Sequence, residues 1–108
     1  MNLPIALFNG TVATTNGLYS IQDISIEDAK NLVEKHGYIS AIGHKATADI
    51  LSEVLDKNVK MHRVQFQQKV GQIAIVLKLN ERPPEGSILD KAEMEEIGYK
   101  LKIMKRIE

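Results

Sequence analysis

Apolar side chains recur along this chain with two different periods, and each period predicts one type of element. Residues 73–79 alternate with a period of two: Ile73, Ile75, Leu77 and Leu79 share one face, and Ala74 and Val76 lie on the other. Apolar side chains on both faces are typical of a strand inside a sheet. Residues 3–8 form a shorter apolar run that ends at Asn9-Gly10, a strong turn signal. Further strands are predicted at Leu18–Ile24, at His62–Gln67 and from Tyr99 onward, and Tyr38–Ile42 is predicted to be a brief strand or a turn.

Three other stretches have the spacing of an amphipathic helix. Ser25–His36 begins with a serine followed three residues later by Asp28, which resembles a capping box, and Gly37 provides a C-terminal stop. Similar patterns predict helices over Lys45–Leu55 and Lys91–Ile97. Strands mixed with helices predict an α/β fold: a single domain over residues 1–108, with a mixed β-sheet of about five strands flanked by about three helices.

Composition narrows the class of protein without naming a function. Apolar residues make up 44% and charged residues 26% of the 108 positions, which indicates a globular chain. The longest apolar run, Ile73–Leu77, is far shorter than a membrane span of about 20 residues. The absence of cysteine excludes disulfides and thiolate chemistry, so we expect a cytoplasmic protein. A formal net charge of zero argues against coating long nucleic acids but allows a small anionic ligand.

The segment Ile42–Thr47 combines three features that suit a phosphate ligand. Gly43 lets the backbone approach a ligand closely. The predicted helix start offers unpaired N–H groups and a partial positive charge. His44 is able to transfer a proton near neutral pH. The ordinary alternative is that His44 merely occupies a helix cap.

A second candidate follows the predicted central strand, at Glu81–Gly86. Two prolines stiffen this loop, and the planar guanidinium of Arg82 suits a phosphate. The alternative is a surface turn with an ordinary ion pair. His62-Arg63 would either face a ligand or carry the charges that protect an edge strand from aggregation. No spacing resembles a zinc site, a P-loop or a dinucleotide fingerprint.

Four segments, taken in order, resemble the viral type III anti-CRISPR ring nucleases, a family found in archaeal viruses, bacteriophages and bacterial mobile elements. Leu7–Gly10 ends the first strand, and Ile42–Thr47 matches the family's Ile-Gly-His-x-x-Thr signature. His62–Val64 is similar to its Asn-Arg-Val segment, and residues 81–89 are similar to its Gln-Arg-x-x-Glu-Gly-x-x-Leu segment. The resemblance covers nearly the whole chain.

The chain departs from the family's pattern at two places. Val12 stands where some members have a serine, although Thr11 and Thr14 place hydroxyls nearby. Pro83-Pro84 replaces the more usual residues between the arginine and glutamate of the fourth segment.

The resemblance implies a homodimer that binds cyclic tetra-adenylate and cleaves it to linear di-adenylate with 2′,3′-cyclic phosphate ends. It implies no metal and no other cofactor. His44 would be the general acid, Arg82 would hold the phosphate, and Glu85 would orient the histidine or the ligand. By position, the residues implied to bind the ligand are Asn9, Gly10, Thr11, Gly43, Lys45, Thr47 and Arg63.

Two other classes of function stay open. The protein could bind a cyclic nucleotide without cutting it and so act as a sponge. It could instead be a mobile-element protein that binds another protein, in which case we expect a sizeable apolar surface patch.

Overall fold

The alternating segment 73–79 forms the middle of the sheet in a computed structural model, which describes residues 3–10, 13, 15–81 and 89–108. The described strands are β1 (Ile5–Phe8), β2 (Tyr19–Ile24), β3 (Tyr38–Ser40), β4 (Ile73–Leu79) and β5 (Tyr99–Arg106). The described helices are α1 (Ile26–His36), α2 (Lys45–Leu55) and α3 (Lys91–Ile97). The α/β fold class predicted from the sequence, with five strands and three helices, is confirmed.

The strands lie in the order β2-β5-β4-β1-β3. β1 pairs in parallel with both β3 and β4, while β5 is antiparallel to both β4 and β2. Parallel strands end at the same side of a sheet. β1, β3 and β4 therefore finish together at Phe8, Ser40 and Leu79, at a boundary that we call the carboxyl edge of the sheet.

The two faces of the sheet are covered differently. All three helices contribute to the core on one face, which includes the buried side chains of Leu7, Val33, Leu51, Ile75, Met94 and Leu101. The opposite face holds a smaller cluster of Ala6, Phe8, Ala74, Val76 and Met104, and Phe66 packs against it. The Phe66 ring meets the Phe8 ring edge to face, with centroids 6.0 Å apart. We call this second side the open face; its cluster of buried residues is smaller than the core on the helix side.

Local capping explains where the helices begin and end. The Ser25 hydroxyl accepts a hydrogen bond from the Asp28 N–H at 3.1 Å, and Gly37 ends α1 with a positive φ of 73°. Asp90 and Glu93 form a complete capping box at the start of α3. These contacts satisfy backbone N–H groups that a helix leaves unpaired. No helix in the described ranges is long and apolar enough to cross a membrane.

The prediction of a strand over His62–Gln67 is wrong, since residues 61–69 form no strand ladder. The neighbouring strand β3 ends at Ser40, so this segment has no long backbone to pair with. The His62 N–H instead donates a single backbone hydrogen bond to the Ile42 carbonyl, at 2.8 Å. The charges of His62 and Arg63 consequently do not protect an edge strand, because the segment is not one.

Gly17 is needed where the loop before β2 meets the C-terminus. Its φ is 154°, and a Cβ at this position would lie 2.5 Å from the backbone oxygen of Glu108. The same contact region holds the hydrogen bond from the Leu18 N–H to the Glu108 carbonyl at 2.9 Å. The backbone cannot retract from the clash without losing this bond.

We expect Gly17→Ala to destabilise the fold by about 2 kcal/mol or more, because strain in φ and a steric clash act together. The measurement is the free energy of unfolding in urea. Gly71→Ala is the matched control, since Gly71 also has a positive φ of 85° but open space around its Cβ position. Equal losses for the two variants would show that the contact with Glu108 has no energetic role.

Candidate functional site

The parallel register places the turn after β1 beside the segment that leads into α2. Asn9 directly follows β1, and Gly43 lies three residues after the end of β3. The Gly43 N–H donates a hydrogen bond to Asn9 Oδ1 at 3.1 Å across 34 positions of sequence. Two sequence-predicted site residues are thus in direct contact, at the carboxyl edge of the sheet.

Arg63 binds the other backbone group of the same glycine. Its Nε donates to the Gly43 carbonyl at 3.0 Å. Asn9, Gly43 and Arg63 together form what we call the Gly43 clamp. Both backbone groups of Gly43 are therefore hydrogen-bonded to these two side chains.

Further hydrogen bonds fix the segment around the clamp. His62 Nδ1 lies 3.0 Å from the Ser40 carbonyl, and the Ser40 hydroxyl donates to the Lys60 carbonyl at 2.6 Å. With the bond between the His62 N–H and the Ile42 carbonyl, they tie residues 60–63 to residues 40–43. The approach to α2 is therefore held by side chains where no strand ladder exists.

His44 occupies the N-cap of α2 and is exposed. Its side chain makes no capping hydrogen bond, and the first turn of the helix contains no acidic residue. The N–H groups of Lys45, Ala46 and Thr47 belong to the first helical turn, which has no intrahelical acceptors. The imidazole is thus free to meet a ligand beside a helix end that favours negative charge.

The remaining predicted ligand-binding residues differ in accessibility. Lys45 is exposed, and its Nζ donates to Asp49 Oδ2 at 3.1 Å. Thr47 is only 3% exposed, so it offers a ligand little surface. Gly10 is half-buried beside Asn9. A Cβ on Gly43 would meet Arg63 Cγ at 3.7 Å, an ordinary contact, so packing alone does not require glycine there.

Thr11, Arg82 and Glu85 lie outside the described residues, as do Val12 and the Pro83-Pro84 pair. Their predicted roles as pocket residue, phosphate ligand and orienting carboxylate stay predictions. Just before Arg82, the described chain shows that β4 ends at Leu79 and that the Asn80 N–H donates to the Gly98 carbonyl at 2.9 Å. Within the described ranges, no group of three or more His, Asp or Glu side chains is arranged to hold a metal ion.

The sequence did not single out Lys78, which lies one residue before the end of β4. Phe8 of β1 is the partner of Val76 of β4. Gly10 and Lys78 each lie two positions further along their own chain segment, so the register brings this lysine toward the turn after β1. An exposed lysine near a strand end carries no signal in the sequence. Its position becomes meaningful only through the pairing of β4 with β1.

We expect Asn9→Ala to destabilise the protein by about 1 kcal/mol, because the part-buried Gly43 N–H loses its acceptor. Unfolding in urea measures the loss. Asn9→Asp is the matched control, since a carboxylate keeps an oxygen at the same place and should restore most of the stability. Full stability in Asn9→Ala would mean that water replaces the amide and that the clamp is dispensable.

Comparison with known proteins assigns the family. The chain is 31% identical over 108 residues to YddF of Bacillus subtilis (strain 168), covering 98% of this chain and 100% of YddF. It is 36% identical over 81 residues to protein 26 of Sulfolobus islandicus filamentous virus (isolate Iceland/Hveragerdi), covering 74% of this chain and 69% of that protein. It is also 36% identical over 93 residues to ORF117 of Acidianus two-tailed virus, covering 83% of this chain and 80% of ORF117.

Structure and family model agree with these relatives. B116 of Sulfolobus turreted icosahedral virus superposes with a TM-score of 0.67 at 18% identity, covering 95% of this chain and 99% of B116, which shows a shared fold. The model of the family described as STIV B116-like matches residues 5–101. Together with the viral and bacterial relatives, this match shows that the chain belongs to the STIV B116-like family.

Proposed function

We propose that this protein is a metal-independent ring nuclease that binds cyclic tetra-adenylate and cleaves it to linear di-adenylate with 2′,3′-cyclic phosphate ends. The observation that carries the proposal is the uncommitted His44 side chain at the N-terminus of α2, on a segment fixed by the Gly43 clamp. The motif resemblance supplies the identity of the ring. In type III CRISPR systems this activity would counter or regulate the cyclic-adenylate signal.

The reaction needs one proton donor and no external nucleophile. A ribose 2′-hydroxyl loses its proton to the surrounding solvent or a base and attacks the adjacent phosphorus, so that an O2′–P bond forms. The P–O5′ bond breaks, and the departing 5′ oxygen receives a proton from His44. General acid catalysis of this kind contributes typically 10²–10⁴-fold in rate.

Electrostatics at the helix start supports the same assignment. The free N–H groups of the first turn and the partial positive charge of α2 would stabilise the negative charge that develops on the phosphate. Arg82, as implied by the resemblance, would add a bidentate contact to the same oxygens. The clamp keeps the histidine from moving with the loop, which preserves the geometry that proton transfer requires.

We propose in addition that two copies of the chain act together. A ring of four identical nucleotides has a twofold axis, as does a closed dimer, so one His44 from each copy would cut opposite bonds and release two equal halves. The open face offers apolar side chains for such a contact: Ile21 is 47% and Ile39 is 38% exposed there. Sedimentation velocity on the purified protein tests the dimer directly.

We expect His44→Ala to lower the single-turnover rate of ring opening at least about 100-fold while leaving binding largely intact, because the acid is lost but the helix start stays. The assay incubates the protein with cyclic tetra-adenylate in EDTA and identifies products by chromatography and mass. His36→Gln is the matched control, since His36 ends α1 beside the start of β1, at the other end of the sheet.

The same assay separates the enzyme from its alternatives. Di-adenylate in excess of the protein present would establish turnover. Intact ring that co-elutes with the wild-type protein would favour the sponge, and neither binding nor cleavage would leave a protein-binding role. Cleavage by His44→Ala at the wild-type rate would remove His44 from the mechanism.

We expect Arg82→Ala to weaken binding and slow cleavage together, because the phosphate loses a contact present in both the bound ligand and the transition state. Steady-state kcat and KM are the measurement. Arg82→Lys should recover part of the binding, since it restores the positive charge without the paired hydrogen bonds of a planar guanidinium. Unchanged kinetics in Arg82→Ala would place this arginine outside the site.

A further inference from the structure

Two lysines face each other on neighbouring strands near the carboxyl edge. Lys78 of β4 and Lys100 of β5 are direct cross-strand partners, and both are exposed. Cross-strand partners point to the same face of a sheet. The register places this face on the side of Val76 and Met104, which is the open face. We call Lys78 and Lys100 the lysine pair.

Neither member of the lysine pair is neutralised within the described part of the chain. The nearby carboxylate of Asp23 is already bound by Lys102, whose Nζ donates to Asp23 Oδ1 at 2.7 Å. The pKa of Asp23 is lowered chiefly by this hydrogen bond and charge, and the charges of Lys100 and Lys78 lower it further. Of these three lysines only Lys102 contacts Asp23, so among the described residues the lysine pair has no carboxylate in contact with it.

Such a pair is not explained by the usual uses of lysine in a sheet. Like charges directly opposite each other destabilise a strand pair. Lysines that prevent aggregation belong on edge strands, whereas β4 and β5 are interior strands in the order β2-β5-β4-β1-β3. An anionic ligand that lies between the two ammonium groups would convert the repulsion into attraction.

The location links the lysine pair to the candidate site. Moving across the carboxyl edge from β3 toward β5, one meets the segment before His44, then Asn9 after β1, then Lys78 and finally Lys100. Three strand spacings of about 4.8 Å separate β3 from β5, which gives about 14 Å. A nucleoside monophosphate carries one phosphate, which cannot occupy both ends of this row.

We propose that Lys78 and Lys100 form a second phosphate subsite, which binds another phosphodiester of the same ligand whose reacting phosphate lies at His44. The ligand class is then an oligonucleotide with at least two separated phosphodiesters rather than a mononucleotide. The identity of the ligand as an adenylate ring rests on the proposed function, but the subsite itself recognises backbone phosphates.

The experiment compares wild type, Lys78→Gln, Lys100→Gln and the double variant in equilibrium binding. The probes are cyclic tetra-deoxyadenylate, which lacks the attacking 2′-hydroxyl and stays intact, linear tetra-adenylate and AMP. Lys105→Gln is the matched control, because Lys105 is an exposed lysine of the same strand β5 that pairs with Ile73 and Ser20 on the helix-covered face. Circular dichroism verifies that each variant folds.

We expect each substitution to weaken binding of both tetranucleotides about tenfold, as for loss of a charge-assisted contact. The slope of log K against log salt should become shallower by about 0.7 per lysine. AMP binding should stay within about twofold of wild type. Relief of repulsion should raise the Tm of the free protein by about 1–5 °C in the single variants.

Failures of the subsite and of the nuclease proposal are distinguishable. Suppose that wild type cleaves cyclic tetra-adenylate, and that the double variant binds the tetranucleotides as tightly as Lys105→Gln does and with the same salt slope. This result would overturn the subsite alone. Absence of cleavage, with lysine-dependent binding of linear tetra-adenylate, would overturn the nuclease and support the subsite. If wild type binds none of the three probes, the subsite is overturned as well.

Discussion

The parallel pairing of β1 with both β3 and β4 is the constraint on which the candidate site depends. Because these strands run in the same direction, their carboxyl ends meet at one edge, and residues far apart in sequence become neighbours. The hydrogen bond from the Gly43 N–H to Asn9 Oδ1 is the direct consequence. A slip of one residue in this register would turn every side chain to the opposite face and separate the two.

Rigidity at this edge is achieved by side chains rather than by strand pairing. β3 has only three residues, and the chain beyond it is held by Arg63, His62 and Ser40 instead of a continued ladder. The N–H groups in the first turn of α2 have no intrahelical acceptors. A site that binds phosphate would benefit from such amides and from the fixed backbone of Gly43 beside them.

Positive charge near the carboxyl edge is unevenly placed in a chain whose formal net charge is zero. Overall neutrality removes the long-range attraction that a nucleic-acid-coating protein uses. The lysine pair and the helix start instead concentrate charge at two points on one edge. A compact ligand with several phosphates matches such a distribution better than a long polymer does.

The sequence by itself determined the elements, the fold class and the position of His44. The bounds of α2, α3 and β4 agree with the periodic pattern and with the glycines near these elements, Gly43, Gly98 and Gly71, because these features depend on residues that are near in the chain. The sequence predicted a strand over His62–Gln67 wrongly, because an alternating pattern forms a strand only where a partner backbone is present to pair with it. The family resemblance also grouped Gly43 with Arg63 as candidate ligand-binding residues, and in the fold Arg63 Nε donates to the Gly43 carbonyl. Only the tertiary structure decided that contact and the opposition of Lys78 to Lys100, because both arise from strand register, which joins positions that no local pattern connects.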